Sequence, residues 1–421
     1  MKTLRQHIIS LILLCVTSSA LAQAPGTAGV LFLLIQPSLR ANGMGGASVA
    51  SVNNDAIGIA FNPARLGVQA LDNYFAAEFY PAKTNWLPQL APDLGYDAKT
   101  IFFGYNLKRL NQKIPVSVGV GYSRIFIDLG KQLITGELDP TPIGTFHSTE
   151  HANVWTFGIG FDYLLKAGIG WSFKDIESNL APPFAINNLP PGAGKASAHD
   201  FGLVADLPVS SLVSRFTGKP LQIGSSFFPS AGIGFGYSQS NIGDPIIYIS
   251  AAQADPLSRT ARIGLSLNAG LSLSKNTRAW RVFSLEHLYE AEQLLVRVAR
   301  PNKVTYENWL GDIDFWQNVV LRKDNPKIIT KSGWELSFFE IVSLRLGQYR
   351  DPLGKVDYNT SGFGISLHGL LAAIRYQQSH EALIDFLIHH FDLQYNYSHY
   401  DAEAGHPLGN TNFHGIGIRV F

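Results

Sequence analysis

The sequence predicts an all-β protein, a transmembrane antiparallel β-barrel of about fourteen strands that closes around an N-terminal luminal plug. Three observations support this fold. Segments of about ten to thirteen residues alternate between large apolar and small residues. Glycine is abundant, with 40 residues, while charged residues make up only 15%. After the N-terminus, no segment offers the roughly 18 consecutive apolar residues of a membrane helix.

The alternation indicates which face of each strand meets lipid. One face of the segment 151–163 is large and apolar, with Trp155, Phe157, Ile159, Phe161 and Tyr163. The other face is mostly small, which suits the concave inside of a barrel, whereas a soluble sandwich would place charged or long polar residues outward. Lys174 and Arg262 fall on the small-residue face. A charge on the lipid face would cost roughly 2–4 kcal/mol, so this placement supports a membrane barrel.

The first 22 residues are predicted to be a secretory signal peptide that is cleaved after Ala22. A basic start and the apolar run Ile8–Val16 precede the small residues Ala20 and Ala22. The apolar run is too short for a membrane anchor, which needs about 20 residues. The bulky residues before Cys15 argue against a lipoprotein signal.

Removal of this peptide would leave a chain without cysteine and with almost no net charge. Cys15 is the only cysteine, so disulfides and cysteine-built metal sites are excluded from the mature chain. Loss of Lys2 and Arg5 leaves 31 basic residues against 32 acidic ones. This balance gives no support for a nucleic-acid partner.

The segment 23–72 is expected to form the plug. Its stretch Leu31–Leu66 starts apolar and then becomes rich in glycine and alanine. It has too much glycine for a good helix and is too irregular for a long strand. Glycine permits close backbone approach, and proline restricts both itself and the residue before it. The plug residues that we single out are Arg40, Gly43, Met44, Gly45, Gly46, Asn62 and Pro63.

The region 73–421 is expected to be the barrel. Its fourteen strands are predicted near 73–80, 99–108, 115–126, 151–163, 165–175, 198–207, 229–240, 258–273, 278–288, 332–340, 341–350, 358–370, 389–400 and 411–421. The connections after odd-numbered strands are long, and those after even-numbered strands are mostly short, apart from 208–228 and 371–388. Outer-membrane barrels have long external loops and short periplasmic turns. The plug and both chain ends are therefore expected on the periplasmic side.

Two helices are predicted between strands. Leu285–Arg300 is expected to be helical within the large external loop 289–331 and to end before Pro301. His380–His390 is expected to be a short periplasmic helix. A strand at 371–379 is the alternative, but it would make the strand count odd, against the even number usual for bacterial barrels.

Several motifs resemble the PorV/PorQ family. They are Phe32-Leu-Leu-Ile35, Arg40, Gly43-Met-Gly-Gly46, Ala50, Asn62-Pro-Ala64, Trp86-Leu87, Lys331-Ser-Gly-Trp-Glu-Leu336, Leu344-Arg-Leu-Gly347 and His406-Pro-Leu-Gly-Asn-Thr411. This family comprises outer-membrane proteins associated with the type IX secretion system of Bacteroidetes and relatives, on a barrel similar to the long-chain fatty-acid transporter FadL. The terminal Phe421 also resembles the signal that the outer-membrane assembly machinery recognises. The resemblance implies an outer-membrane location and type IX translocon or cargo proteins as partners.

No set of residues predicts catalysis, and we expect no enzyme activity, no cofactor and no metal site. Gly192–Ser197 matches only part of a phosphate-binding loop and is expected to lie in an external loop. The pair His389-His390 is expected on a strand, where adjacent side chains point to opposite faces. His147 and His151 have no third spaced ligand.

Four large apolar residues are predicted to be exposed in the external loops: Trp86, Leu87, Trp309 and Trp316. They suit an aromatic belt that anchors the barrel in lipid. Alternatively, they form a surface for a protein partner or a hydrophobic ligand.

Two functions are consistent with this sequence. The first is a binding and docking component for type IX protein secretion or surface attachment, which the resemblance and the large external loop favour. The alternative is a FadL-like channel for uptake of hydrophobic small molecules, whose plug moves to open a lateral path. A membrane-embedded hydrolase is disfavoured, because no pair of nucleophile and base is found. Both functions place the chain among the lipids of a Gram-negative-type outer membrane.

Overall fold

The computed structural model describes residues 28–135, 141–181, 192–248, 254–275, 278–300, 303–377 and 382–421. The predicted signal peptide lies outside the described residues. Within them, none of the helices is both long and apolar enough to cross a membrane.

Fourteen strands form one closed antiparallel barrel. In chain order, β1 to β14 are Phe75–Phe79, Gly95–Asn106, Val116–Thr135, Pro142–Asp162, Lys166–Ala181, Gly192–Leu207, Phe227–Gly243, Thr260–Lys275, Arg278–Leu294, Ile329–Phe338, Val342–Asp351, Val356–Ser366, Phe391–Asp401 and Asn412–Val420. Each strand pairs with the next, and β1 closes the barrel by pairing with both β14 and β2. The predicted fold class is confirmed, and each predicted strand is present.

Short helices lie between these strands in the chain and inside the barrel. The α-helices among the described residues, α1 to α5, are Leu39–Asn42, Ala64–Gln69, Val209–Thr217, Leu367–Gln377 and Ala382–His390. A π-helix covers Phe315–Val320 in the connection between β9 and β10.

Some strands are longer than predicted. The predicted limits of β3 and β4 are 115–126 and 151–163, but their pairing continues through Lys131 and His147 to Thr135. The extra residues mix polar side chains, such as Gln132 and Thr145, with apolar ones such as Leu133 and no longer follow a clear alternation. Backbone ladder hydrogen bonds do not require apolar side chains, so the hairpin extends past the region that the hydrophobic pattern marks.

The helix predicted over 285–300 is wrong. This segment continues β9 and then enters a small two-stranded hairpin within 296–306. Glutamate is a good helix former, but Glu286, Glu290 and Glu292 occupy alternate positions on the inner face of β9, where they are buried next to basic partners. Ion pairing with the neighbouring strands and with Arg40 of the N-terminal part of the chain therefore overrides local helix propensity.

The predicted helix 380–390 is confirmed by α5, although 378–381 lie outside the described residues. The predicted strand 358–370 is too long, since β12 ends at Ser366 and α4 begins at the next residue. Most of the segment 371–379, considered above as an extra strand, belongs to α4.

The two ends of the barrel differ in their connections. We call the end with the connections after odd-numbered strands the loop rim, and the opposite end the turn rim. The loop rim has the longest connection, 295–328. The turn rim has the three-residue connections 163–165 and 339–341, and also holds the start of β1 and the terminal Phe421.

The outer face of the wall is apolar. Trp155, Phe157 and Ile159 in β4 each keep more than two-fifths of their surface exposed. Lys174 and Arg262, in contrast, are buried on the inner face, as predicted. A closed barrel with an apolar outer band is stable in lipid, because its backbone groups are paired and its outer side chains need no water.

Residues 28–73, which we call the N-terminal segment, fill the middle of the lumen, and nearly all of them are buried. The segment packs so closely against the wall that an added Cβ would overlap it at inward-facing glycines on many strands, including Gly104, Gly158, Gly160, Gly168, Gly170, Gly202, Gly236, Gly333 and Gly347. These strands lie on all sides of the barrel, so the segment is inside it. Close packing of the two backbones thus requires small residues on the inner face of the strands.

Candidate functional site

The candidate site is the lumen on both sides of the N-terminal segment. Two cavities meet the segment from opposite ends of the barrel, and we call them the loop-rim cavity and the turn-rim cavity. Their volumes are about 410 Å³ and 470 Å³. The contacts that hold the segment determine how these cavities are separated.

Arg40 in α1 ties the segment to the wall through buried ion pairs. Its guanidinium donates to both carboxylate oxygens of Glu335 at 2.8 Å and also pairs with Glu286. Burial disfavours the charge, but the two carboxylates outweigh it and raise the pKa of Arg40 above its ordinary value. Glu335 also accepts a hydrogen bond from Arg345. One network therefore joins β9, β10 and β11 to the segment.

A second buried network lies closer to the loop rim. The Lys331 ammonium lies 2.7 Å from Glu292 and 3.7 Å from Glu290. Glu290 also accepts hydrogen bonds from the backbone N–H groups of Ser48 and Val49, both at 2.8 Å. The wall therefore binds the main chain of the segment as well as its side chains.

Asp55 stabilises the segment internally. Its carboxylate accepts hydrogen bonds from Ser38 at 2.7 Å and from Arg65 at 3.2 Å. Burial alone would raise the pKa of Asp55. The Arg65 charge, the Ser38 hydroxyl and the more distant Arg40 outweigh burial, so this pKa lies below its ordinary value. Asp55 is therefore ionised at neutral pH and pairs with Arg65 inside the segment.

The predicted plug residues 43–46 form a tight turn against β10, β11 and β12. Gly45 and Gly46 have φ angles of +69° and +82°, which L side chains rarely adopt. The Gly45 N–H donates to Thr360 Oγ1 at 2.8 Å, and Met44 is fully buried. This turn brings the backbone of the segment into direct contact with the wall.

Asn62 and Pro63 connect α2 to another side of the wall. The Asn62 side-chain amide donates to the carbonyl of Val49 at 2.8 Å and to that of Leu203 in β6 at 3.1 Å. Its oxygen accepts from the Ala64 N–H at 3.1 Å, at the start of the helix. Pro63 precedes the helix, where a missing N–H carries no cost. One amide thus joins two parts of the segment and the barrel.

The loop-rim cavity is apolar. It lies between the start of the N-terminal segment and the connections 80–94 and 402–411. Among the described residues that line it, the polar groups are those of Gln36, Glu150, Lys331 and the tyrosines. The rest of the lining consists mainly of large apolar side chains: Leu31, Phe32, Leu34, Ile35, Trp86, Leu87, Leu94, Ile127, Leu129, Val356 and Leu408.

Aromatic rings form one side of the loop-rim cavity. Tyr349 stacks on Tyr358, and Tyr358 on Tyr400, with ring centroids 4.8 Å apart in each pair. Trp86 lies edge-on to Tyr400 at 6.2 Å. The Tyr400 hydroxyl donates to Asn42 Oδ1 in the segment at 2.7 Å. The rings thus supply apolar surface, while the hydroxyl of Tyr400 binds the segment below.

The turn-rim cavity is strongly polar. Ile388 and Phe421 are the apolar side chains among the described residues that line it. The remaining lining is polar or charged: Arg40, Asn53, Asn54, Asp55, Glu78, Arg281, Ser284, Glu335, Ser337, Glu340, Ser343, Arg345, Ser366, His368, His389, Gln394, Asn396 and Arg419. Such a surface favours water and ions over an apolar molecule, because its polar groups must stay hydrogen-bonded.

The four apolar residues predicted to be exposed separate into two pairs. Trp309 and Trp316 are 62% and 60% exposed, as predicted. Trp86 and Leu87 are partly buried and line the loop-rim cavity, so the exposed position predicted for them is wrong. The connection 80–94 folds over the mouth of the barrel, where the tyrosine rings offer Trp86 apolar partners.

The structure does not bring the predicted polar candidates into one cluster. His147 lies 3.5 Å from Asp128, while His151 lies 3.7 Å from Glu177. Among the described residues, no three His, Cys, Asp or Glu side chains are grouped so that they could hold a metal ion.

Two predicted positions need correction. His389 and His390 end α5 and do not lie on a strand. Gly192–Ser197 begins β6 and is not part of a loop. The histidines lie where the predicted helix 380–390 and the predicted strand 389–400 overlap, and the helix includes them. Gly192–Ser197 belongs to a strand that begins earlier than the hydrophobic pattern indicates, because backbone ladder hydrogen bonds do not require apolar side chains.

The inward-facing aromatic residues are the main feature that the sequence pattern did not reveal. The pattern predicts a small polar inner face. However, Tyr358 shares the inner face of β12 with Gly362 and Gly364, and Phe413 shares that of β14 with Gly415. An aromatic residue at even spacing from such glycines, near the loop-rim end of a strand, is a signal that could have identified the cavity.

The chain is similar to solved outer-membrane barrels, all at low identity. A FadL homologue from Pseudomonas aeruginosa is 10% identical, with a TM-score of 0.35, and the match covers 91% of this chain and 97% of that one. The toluene transporter TodX of P. putida is 11% identical over the same shares, with a TM-score of 0.38. A TodX deltaS2S3 mutant, a monoaromatic hydrocarbon channel, is also 11% identical over these shares, with a TM-score of 0.40.

No protein-family model matches the sequence, and no curated protein matches it either. The similarity to PorV/PorQ therefore depends on the sequence motifs alone. At such low identity and TM-score, the solved barrels do not indicate the function of this chain.

Proposed function

We propose that this protein is an outer-membrane barrel that binds hydrophobic small molecules in the loop-rim cavity and takes them up. The apolar, ring-lined cavity of about 410 Å³ carries this proposal. Ligand pockets usually measure about 300–1,000 Å³, and burial of apolar surface contributes about 25 cal/mol per Å². A molecule with an acyl chain or an aromatic ring fits this lining.

The N-terminal segment acts as the plug in this proposal, within residues 23–72. It separates the apolar cavity from the charged one, and the networks of Arg40 and Lys331 hold it in place. A hydrophobic molecule that crossed the segment directly would enter the charged turn-rim cavity. Movement of the plug that opens a lateral path into lipid avoids this step, and we favour it for that reason.

The loop rim faces the cell exterior in this proposal. Outer-membrane barrels carry their long loops outside and their short turns in the periplasm. The connection 295–328 and the short turns 163–165 and 339–341 fit this orientation. The apolar cavity is then open to the medium that supplies the ligand.

Docking of type IX components is still a prediction, and the sequence motifs are its support. Trp86 and Leu87, which are its expected contacts in the first external loop, line the cavity. The two functions therefore make opposite predictions for the same variant.

The test is the double substitution Trp86→Ala with Leu87→Ala. Loss of an aromatic anchor typically costs about 2 kcal/mol or more, so we expect ligand affinity to fall about tenfold to hundredfold. Affinity is measured by fluorescence titration of the purified barrel with a labelled long-chain fatty acid, and uptake of the same probe is measured in cells. Leu90→Ala, in the same connection but 67% exposed and outside the cavity, is the matched control and should bind normally.

A second measurement in the same cells separates the two functions. Surface display of cargo with type IX signals should be unchanged in the double variant. Normal probe affinity together with reduced display would exclude the uptake function and favour docking.

A further inference from the structure

The connection 295–328, which we call the β9–β10 loop, packs against the outside of the barrel wall. Tyr237, Ile263 and Ala291 form one row of outward-facing residues across β7, β8 and β9. They are only 5%, 5% and 0% exposed, because Leu310, Ile313, Phe315 and Val319 of the loop belong to the same apolar cluster. The loop therefore covers wall surface that would otherwise meet lipid.

Specific contacts hold the loop in this position. The Tyr237 hydroxyl donates to the carbonyl of Trp309 at 2.8 Å. Phe315 lies edge-on to Phe235, with ring centroids 5.7 Å apart. At the end of the loop, the Arg322 guanidinium lies 2.8 Å from His287 Nε2, on the outer face of β9. These contacts reach β7 and β9, so the loop is attached to the wall between Trp309 and Arg322.

Wall surface next to the loop remains exposed. Ile233 in β7 and Leu267 in β8 pair across the sheet, one outward row closer to the turn rim than Phe235. They are 48% and 49% exposed. Apolar residues of the outer face meet lipid in a membrane barrel. The lower edge of the loop thus directly adjoins the lipid-facing band.

The aromatic residues of the wall continue onto the loop. The ring centroids of Trp171 in β5 and Phe201 in β6 lie 5.5 Å apart. The Phe201 centroid lies 6.5 Å from that of Tyr237, which in turn lies 5.5 Å from that of Trp309. Trp171 is exposed on the outer face of the wall. Tryptophan and tyrosine collect at the level of lipid headgroups, where the ring is in apolar surroundings and its polar atom meets water.

We propose that the β9–β10 loop is a membrane-interface element and that Trp309 and Trp316 bind the lipid of the outer leaflet at the boundary between headgroups and acyl chains. The occupant of this surface is lipid, because the exposed Trp309 ring extends an aromatic row of the lipid-facing wall and the exposed Trp316 lies on the same loop. The loop takes the place of lipid over β7, β8 and β9 and offers its own apolar residues to the bilayer. This surface is separate from the loop-rim cavity, and the inference does not depend on the proposed ligand.

Site-directed spin labelling tests this proposal. The background is the unmodified mature chain, because the only cysteine, Cys15, lies in the predicted signal peptide. Single labels are placed through Trp309→Cys and Trp316→Cys. Trp155→Cys, on the exposed wall, is the lipid-facing control, and Leu353→Cys, 61% exposed at the loop rim, is the water-facing control. The barrel is reconstituted in phosphatidylcholine vesicles, and the accessibility of each label to oxygen and to a nickel chelate is measured.

We expect the labels at 309 and 316 to favour oxygen over nickel, as the label at 155 does. Trp309→Cys removes the ring contact with Tyr237, whereas Trp316→Cys leaves it in place, so the second label still reports if the first one loosens the loop. Nickel accessibility at 316 equal to that at 353, in a barrel that shows the heat-modifiable mobility of the folded form, would overturn the proposal. A protein partner would then be the better candidate for this surface.

Discussion

The two cavities of the lumen differ in chemistry although one segment separates them. The loop-rim cavity is lined by Trp86, Leu94, Tyr358 and other large apolar residues. The turn-rim cavity, of similar volume, has many charged residues, including Arg345 and Glu335. The N-terminal segment contributes to both, with its apolar start facing one cavity and α1 together with residues 53–55 facing the other.

This difference shows how one wall can hold a segment and also offer a binding surface. Three glutamates of the wall lie where the wall meets the segment. Glu286 and Glu335 pair with Arg40. Glu290 accepts hydrogen bonds from backbone N–H groups of the segment. Three inward-facing tyrosines of the wall, Tyr349, Tyr358 and Tyr400, lie nearer the loop rim, where the segment leaves space. Buried charges need partners, which come either from the segment, as Arg40 does, or from another strand, as Asp200 does for Lys174. Apolar rings need none, so they can line an empty cavity.

The substitution Arg40→Ala should have the largest effect on this arrangement. It leaves Glu286 and Glu335 buried without their main partner, and the loss of one member of a buried ion network costs about 3–5 kcal/mol. We expect the free energy of unfolding in vesicles, measured by urea titration, to fall by this amount. Ion conductance in planar bilayers should rise, because the segment is held less firmly.

Arg350→Ala is the matched control for Arg40→Ala. Arg350 pairs with Asp324 at 3.2 Å, but both side chains are largely exposed. Exposed pairs contribute about 0–1 kcal/mol, so stability and conductance should stay close to those of the unmodified chain. Equal effects of the two substitutions would show that the buried network does not hold the segment.

Gly45→Ala should have the next largest effect, because it acts at the boundary between the cavities. A Cβ at Gly45 would lie 2.6 Å from the carbonyl carbon of Gln348, and the φ angle of +69° is strained for alanine. Overpacking of this kind costs about 1–3 kcal/mol. We expect lower stability in urea titration and slower formation of the heat-modifiable barrel.

Gly405→Ala separates strain from overlap. Gly405 also has a positive φ, of +84°, but no described atom lies within 4 Å of an added Cβ. This substitution should lower the free energy of unfolding only through backbone strain at positive φ, by about 1–2 kcal/mol. If Gly45→Ala is no more harmful than Gly405→Ala, close packing of the segment against β11 is not required.

Tyr400→Phe should have the smallest effect and refines the description of the loop-rim cavity. It removes the hydroxyl that donates to Asn42 Oδ1 but keeps the ring that lines the cavity. We expect a loss of about 1 kcal/mol in stability, with the affinity for the fatty-acid probe unchanged. Tyr397→Phe, whose hydroxyl donates to Asn412 on the exposed face, is the control and should be near neutral. A large loss of probe affinity in Tyr400→Phe would indicate a polar contact with the ligand.

The sequence pattern predicted the wall better than the lumen. Alternation placed Trp155 outward and Lys174 inward, because each strand must satisfy lipid on one side only. It failed over 285–300, where the glutamates of β9 resemble those of a helix until their partners on neighbouring strands and on the N-terminal segment are known. It also placed Trp86 and Leu87 on the surface, because the direction in which a loop folds is not encoded in its own hydrophobicity.

The sequence by itself determined that this chain is a membrane barrel of about fourteen strands with small residues on the inner face. These properties follow from period-two alternation, composition and spacing, which are local. The tertiary structure alone decided which inward residues face a cavity, which pair with the N-terminal segment, and that the β9–β10 loop lies on the outer wall. Arg40 and Glu335 are 295 positions apart in the chain, so only closure of the barrel brings such charges together and leaves the tyrosine rings around an open space.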